Sequence, residues 1–258
     1  MRLINRTPQA DSSSKDFPHG IENVFNDPIL AIDTSTDLSV IAIGAPGRVE
    51  VRSDSEERGR GRLLVAAVRN LLFDLDLSPD QLRAIAVGIG PGSFTGTRVG
   101  VVAAKTLAYA LGRPLIAIDT LEAIAHNAPC ESDRVAVVAE SHKDDMYLAE
   151  FLREPITNAL RRVGPTKIVA RAEWRRHIEK SSYILGPSIA KRKLIDIGFE
   201  PADSPRHSPE GRILIELAER EFAEGRFADV WTLEPAYLRR SAAEEQWTAI
   251  EPRTRERI

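Results

Sequence analysis

Ala84-Ile85-Ala86-Val87-Gly88-Ile89-Gly90-Pro91-Gly92-Ser93-Phe94-Thr95-Gly96-Thr97-Arg98 is the stretch that decides how this chain is read. From Ala84 to Ile89 it is an apolar run of strand length. Gly90 to Gly96 then combines three glycines, a proline and two hydroxyls, which is turn chemistry. A long helix is expected from about Thr95 to Leu111, with Gly112 placed to stop it. A strand that enters a helix through glycines aims bare N–H groups and the helix N-terminus at one spot, where an anion can sit. Gly90, Gly92, Ser93, Thr95 and Gly96 are therefore candidates for a nucleotide or phosphate loop.

Three readings of this loop compete. A dinucleotide fingerprint would use Gly90 and Gly92, with Asp119 ending the next strand as the ribose-binding acid, but its third glycine, Gly96, comes one residue late. A triphosphate-cradling loop needs Lys and then Ser or Thr after its last glycine. Thr97 and Arg98 stand there instead, so that reading fails. A dinucleotide fold would also begin at this strand, whereas here strands and a helix precede it; a purely structural turn is the third reading, which the bare pattern neither selects nor excludes.

Outward from the loop, the pattern becomes regular. Ile29 to Ile32 is a short strand that runs into the polar cluster Asp33-Thr34-Ser35-Thr36-Asp37. Val40 to Ile43 resumes the apolar pattern, and Val49 and Val51 alternate with polar neighbours, so three strands form an antiparallel meander. Leu64, Val65, Val68, Leu71, Leu72 and Leu75 share one face of a helix over Leu63 to Leu77. Pro114 to Ile118 is a strand, and Asp119-Thr120 caps a further helix. The first half thus reads β-β-β-α-β-α-β-α, a mixed sheet with helices on its faces. In the second half, Val135 to Ala139, Met146 to Phe151 and Ile184 to Gly186 read as strands. Ala172 to Lys180 and Arg212 to Glu224 read as helices. We expect a disordered extension over residues 1–28, a first lobe over 29–130, a second, degenerate lobe over 131–240 and a charged tail over 241–258.

Composition narrows the function. The 258 residues carry 43% hydrophobic and 28% charged side chains with a net charge of −3, an ordinary globular balance that does not announce a lone nucleic-acid binder. One cysteine, Cys130, excludes an internal disulfide. No two of the five histidines lie three to five residues apart, so no local metal site is expected. No apolar run approaches membrane-spanning length, and the N-terminus lacks a signal-peptide core. A cytoplasmic protein without a membrane partner is the expectation.

Three stretches resemble one family at matching intervals. Ile29-Leu-Ala-Ile-Asp-Thr-Ser-Thr36 with Ser39-Val40 resembles the opening strand and turn of the TsaB (YeaZ) family. Gly90-Pro-Gly-Ser-Phe-Thr-Gly-Thr-Arg98-Val-Gly100 is similar to its signature loop, and Glu234-Pro-Ala-Tyr-Leu-Arg239 to its C-terminal Pro-x-Tyr-Leu-Arg element. The resemblance implies the actin-like ATPase (RNase-H-like) architecture, two lobes with mixed sheets flanked by helices. It implies a non-catalytic, dimer-forming scaffold subunit that pairs with the catalytic paralogue TsaD and, with the small ATPase TsaE, serves transfer of threonylcarbamoyl to the tRNA adenosine beside the anticodon. ATP would be used by that complex, with no cofactor required by this chain. It would meet tRNA through the complex and form a homodimer when alone.

In that fold Asp33, Thr34 and Ser35 would form the first phosphate-holding hairpin turn, and Thr34, where the family of enzymes keeps glycine, crowds the approach. TsaD holds its metal with two histidines on the helix after the third strand, whereas Arg58-Gly-Arg-Gly-Arg62 has none. The family's Asp-Ala-Arg and Glu-Val-Tyr become Glu140-Ser141-His142 and Asp145-Met146-Tyr147. No nucleophile–base pair for a protease stands out, and an active small-molecule kinase or ATPase of the same fold remains the alternative. The helix after the loop is apolar around most of its circumference, its only polar strip holding Arg98, Val102, Lys105 and Tyr109. Gly96, Gly100, Ala104 and Ala108 step every four residues as a small-residue track. Leu64, Val68, Leu71, Gly100, Val101, Ala104 and Ala108 are the expected partner interface, unless the two helices cover each other.

Overall fold

Ile29–Asp33 (β1) is apolar at alternate positions on both sides, and such a strand belongs in the middle of a sheet covered twice. All five residues are buried. It pairs antiparallel with Ser39–Ala45 (β2) and parallel with Ala84–Gly88 (β4). Arg48–Asp54 (β3) lies outside β2, and Leu115–Ile118 (β5) outside β4, giving the order β3-β2-β1-β4-β5. The computed structural model describes residues 27–45, 47–54, 60–141, 144–178, 182–187 and 207–238. Residues 1–26 of the expected extension and the whole tail from 241 to 258 lie outside them.

The two faces of this sheet have separate cores. Leu30, Ile32, Ile41, Ile43, Ile85 and Val87 pack under the helices Arg60–Asp74 (α1) and Phe94–Leu111 (α2). Gly112, in the left-handed conformation, ends α2 as its position predicts. Ile29, Ala31, Val40, Ala42, Ala84 and Ala86 form the opposite face. A helix from much later in the chain, Gly211–Ala223 (α4), covers that face with Leu214, Ile215, Leu217 and Ala218.

Thr120–Ala125 (α3) leads to the second sheet, built from Arg134–Glu140 (β6), Asp145–Arg153 (β7), Leu160–Arg162 (β8), Lys167–Ala170 (β9) and Tyr183–Leu185 (β10). Its order is β10-β6-β7-β8, with β9 pairing along the other half of β7.

Two expectations are corrected. The second lobe is not the contiguous block 131–240, because α4 and the segment after it belong physically to the first sheet. Residues 226–238 run as a strap over that lobe. Ala228 bridges Leu115, Ala236 N donates to Ile89 O at 2.8 Å, and Lys105 Nζ donates to the carbonyls of Trp231 and Leu233 at 3.2 and 3.0 Å. The apolar stripe of α4 was legible, but which sheet it covers is decided by the exposed back of the first one. The helix expected over Ala172 to Lys180 is a single 3-10 turn, Trp174–His177. Its one fully buried side chain, Trp174, is drawn into the second core, and one anchor does not need a long amphipathic face.

Candidate functional site

The turn from β1 into β2 is built around a carboxyl sealed from water. Asp33 is wholly buried. Its Oδ1 accepts from Ser35 N at 2.8 Å and Ser35 Oγ at 2.6 Å, and its Oδ2 accepts from Thr120 Oγ1 at 2.7 Å. Thr120 Oγ1 in turn accepts from Gly90 N at 3.1 Å. One carboxyl therefore joins the turn, the start of α3 and the glycine loop. Burial pushes the Asp33 carboxyl above its ordinary value, opposed by the hydrogen bonds from Ser35 and Thr120. Gly88 leaves the space the carboxyl occupies, since a Cβ there would lie 1.9 Å from Asp33 Oδ2.

The glycine loop, which contains a cis Gly90–Pro91 bond, closes onto this turn. Ser93 N donates to Ser35 O at 2.6 Å, and Thr34 Oγ1 donates to Gly96 O at 2.7 Å. Ser93 caps α2, its Oγ accepting from Gly96 N at 3.2 Å and its carbonyl from Thr97 N at 2.8 Å. A Cβ on Gly92 would lie 2.3 Å from Ser35 O, and one on Gly96 would lie 2.1 Å from Thr34 O. The glycines are there because the turn lies against the helix start. The phosphate-loop candidates Asp33, Thr34, Ser35, Gly90, Gly92, Ser93 and Gly96 thus come together, bonded chiefly to one another, while Thr95 stays at the surface. These contacts are ones that a structural turn makes. Thr120, visible in the sequence only as part of a helix cap, is the member that sequence reasoning missed.

The expected partner interface is corrected. Leu64, Val68, Leu71, Val101, Ala104 and Ala108 are all buried in the first core, and Gly100 is buried against Thr34. The small-residue track faces inward, where it lets α2 lie close on the sheet and on the β1–β2 turn. The two helices also pack on each other. What α1 and α2 turn outward is different: Val65 and Phe73 from α1, Val102 (63% exposed) and Tyr109 (64%) from α2. Trp231 of the strap, 73% exposed, meets Tyr109 edge-on with ring centroids 5.1 Å apart. Farther along α2, Arg98 lies over the Phe94 ring at 3.7 Å, and its Nε donates to Tyr237 Oη at 2.6 Å. Val102 and Tyr109 were legible as the strip that breaks the apolar circumference of α2. Trp231 carried no such signal, because it reaches this face only through the strap.

Comparison with known proteins identifies the family. The chain is 32% identical over 229 residues to the tRNA threonylcarbamoyladenosine biosynthesis protein TsaB of Bacillus subtilis strain 168, covering 85% of this chain and 97% of that one. The chain belongs to the TsaB family. The Escherichia coli K12 protein of the same name is 29% identical, with 83% of this chain and 96% of that one aligned. The YeaZ structure from Pseudomonas aeruginosa superposes with a TM-score of 0.68 at 25% identity, covering 81% of this chain and all of that one. A second P. aeruginosa structure, described as similar to peptidase YeaZ, gives 0.70 at 25% identity, over 83% and 100% of the two chains. A family profile described as TsaD, tRNA N6-adenosine threonylcarbamoyltransferase, matches residues 57–165. The mixed sheets flanked by helices match the order of elements read from the sequence, and the actin-like architecture is the one that the resemblance implied. Among the described residues, no helix is long and apolar enough to cross a membrane.

Proposed function

We propose that this chain acts in tRNA threonylcarbamoyladenosine formation as an accessory subunit, without transferase activity of its own, that docks onto a TsaD-type catalytic subunit. The observation that carries the reading is the outward face of α1 and α2, where Val65, Phe73, Val102, Tyr109 and Trp231 expose apolar surface. Exposed large apolar groups, with Tyr109 and Trp231 in contact, are the kind of surface that a partner buries, and aromatic anchors such as Trp and Tyr dominate the energetics of such surfaces. A chain with the same fold and related sequence, as the match of residues 57–165 to TsaD indicates, offers equivalent helices to meet them. The small ATPase and tRNA join through that complex, ATP is consumed there, and a second copy occupies the face when the catalytic subunit is absent.

An active kinase or ATPase of this fold would need the β1–β2 turn open to a phosphate. Here Thr34 and Ser35 spend their polar groups on Gly96, Ser93 and Asp33 instead.

The test uses the purified chain with a TsaD-type partner. Val102→Glu and Trp231→Ala keep the wild-type circular dichroism and weaken binding by about tenfold to a hundredfold. Wild-type affinity in both variants rejects this face as the docking site. Threonylcarbamoyl-adenosine formed on tRNA by the chain alone rejects the accessory role.

A further inference from the structure

Many two-lobed enzymes close on their ligands by hinge motion, and the segments between the lobes absorb it. Here the first of the two crossings, from Asp119 to Asp133, is held on both sides. Thr120, Leu121, Ala123, Ile124 and Ala125 of α3 are all buried. Ala123 packs into the core between the first sheet and α4, whereas Leu121, Ile124, Ala125 and then Ala128 pack into the core of the second sheet. A short helix apolar on both sides and inserted in two cores cannot turn without opening one of them.

Three arginines fix what the cores leave free. Asp119 caps α3, its Oδ1 accepting from Leu121 N and Glu122 N at 2.8 and 3.0 Å. Its Oδ2 accepts from Arg162 Nη2 of β8 at 2.6 Å, and Arg162 also donates to Thr166 Oγ1 and lies 4.9 Å from the centre of the Phe151 ring. Glu122, the helix residue that turns away from both cores, accepts from Arg220 of α4 at 2.9 Å. Beyond α3, Arg153 of β7 gathers the connector's carbonyls: Nε donates to Ser132 O at 3.2 Å, and Nη2 faces Ala128 O and Pro129 O, each at 3.4 Å. Its Nη1 donates to Asn158 O at 3.0 Å. Charge-assisted bonds to several acceptors at once fix position as well as distance.

We infer that the lobes of this chain do not hinge: the connector from Asp119 to Asp133 is locked to both sheets, so the second lobe is carried at a set angle to the face formed by α1, α2 and the strap. A fold used elsewhere for closure serves here as a rigid bracket. The inference concerns the chain itself and holds whichever partner the outward face binds.

Pulsed electron-spin distance measurement tests it. Labels are placed at Asn70→Cys on α1 and Ile156→Cys on the exposed turn after β7, in a Cys130→Ser chain. One narrow distance distribution is expected, the same with and without added ATP. Arg153→Met with Arg162→Met keeps the aliphatic stems but loses the bonds, and should broaden the distribution at least twofold. A broad or two-peaked distribution in the parent chain overturns the inference, as does a shift with ATP. A double variant as narrow as the parent overturns the role of the arginines. Hydrogen exchange of the unmodified chain decides independently if the double variant does not fold. Amides of Leu121, Ala123, Asn127 and Ala128 exchanging within about tenfold of those in β4 bear the lock out, and exchange at loop rates refutes it.

Discussion

Replacing Gly100 by alanine tests whether the β1–β2 turn is pressed against α2 as tightly as the geometry states. In the middle of a helix, Gly→Ala ordinarily gains about 1 kcal/mol by restricting the unfolded chain. At position 100 a Cβ would lie 2.4 Å from Thr34 Oγ1, the hydroxyl that donates to Gly96 O. That oxygen must swing away, giving up a buried hydrogen bond of about 1 kcal/mol, and the displaced turn adds an overpacking cost of about 1–3 kcal/mol. Gly100→Ala alone should therefore destabilise by about 1–3 kcal/mol. With Thr34→Ala in place the obstacle is gone, since the next atom from the new Cβ is Thr34 Cβ at 3.6 Å. The same Gly100→Ala change should then stabilise by up to about 1 kcal/mol. The sign reverses, with a coupling of about 2 kcal/mol or more between two touching residues. Urea unfolding of the four proteins, with slopes checked for constancy, measures it. Gly100→Ala of the same sign in both backgrounds would show that the turn does not rest on the helix.

Asp33 predicts a pH dependence. Its folded-state value is raised by burial, so between the ordinary carboxyl value and the raised one the folded chain holds more protons than the unfolded chain. Stability from this group is complete at low pH and declines as pH rises through that window. Asp33→Asn keeps an acceptor for Ser35 and removes the buried charge, so the urea midpoint difference between variant and parent should grow in the variant's favour from acid to neutral pH. A constant difference refutes the burial argument. Gly88→Ala should cost at least about 3 kcal/mol, because the carboxyl beside it has no room to retreat, while Gly112→Ala, strained only by its left-handed backbone, should cost about 1 kcal/mol; thermal melts compare them. Ala104→Arg should lose the native circular dichroism rather than only the partner, since the position lies inside the core.

How far the fold was legible follows from where each decision is made. The first lobe is specified locally: β1, β2, β4 and α2 each carry a pattern of one period, and Gly112 and Asp119 end or start helices by their own chemistry. The assignment of α1 and α2 residues to an interface failed because periodicity tells which side of a helix is apolar, not what covers it. Val68 and Ala104 are apolar for the sheet below them, and Tyr109 and Val102, on the strip read as polar, are the ones left outside. Asp33 was readable as a turn-former from its Ser and Thr neighbours. Its bond to Thr120 was not, because the two lie 87 residues apart and meet only when β1 and β5 are brought into one sheet. Trp231 and the strap fall in the same class, with Lys105 and Tyr109 far from them in sequence.

The return of α4 and the strap to the first sheet also sets an order of events during synthesis. Residues 29–118 leave the ribosome as a sheet with one face bare, and that face is closed only after some ninety further residues have emerged. Trp231 arrives later still. A chain cut short anywhere before the strap carries an uncovered apolar sheet and an incomplete outward face at the same time. Only a finished copy has both the closed sheet and the complete outward face.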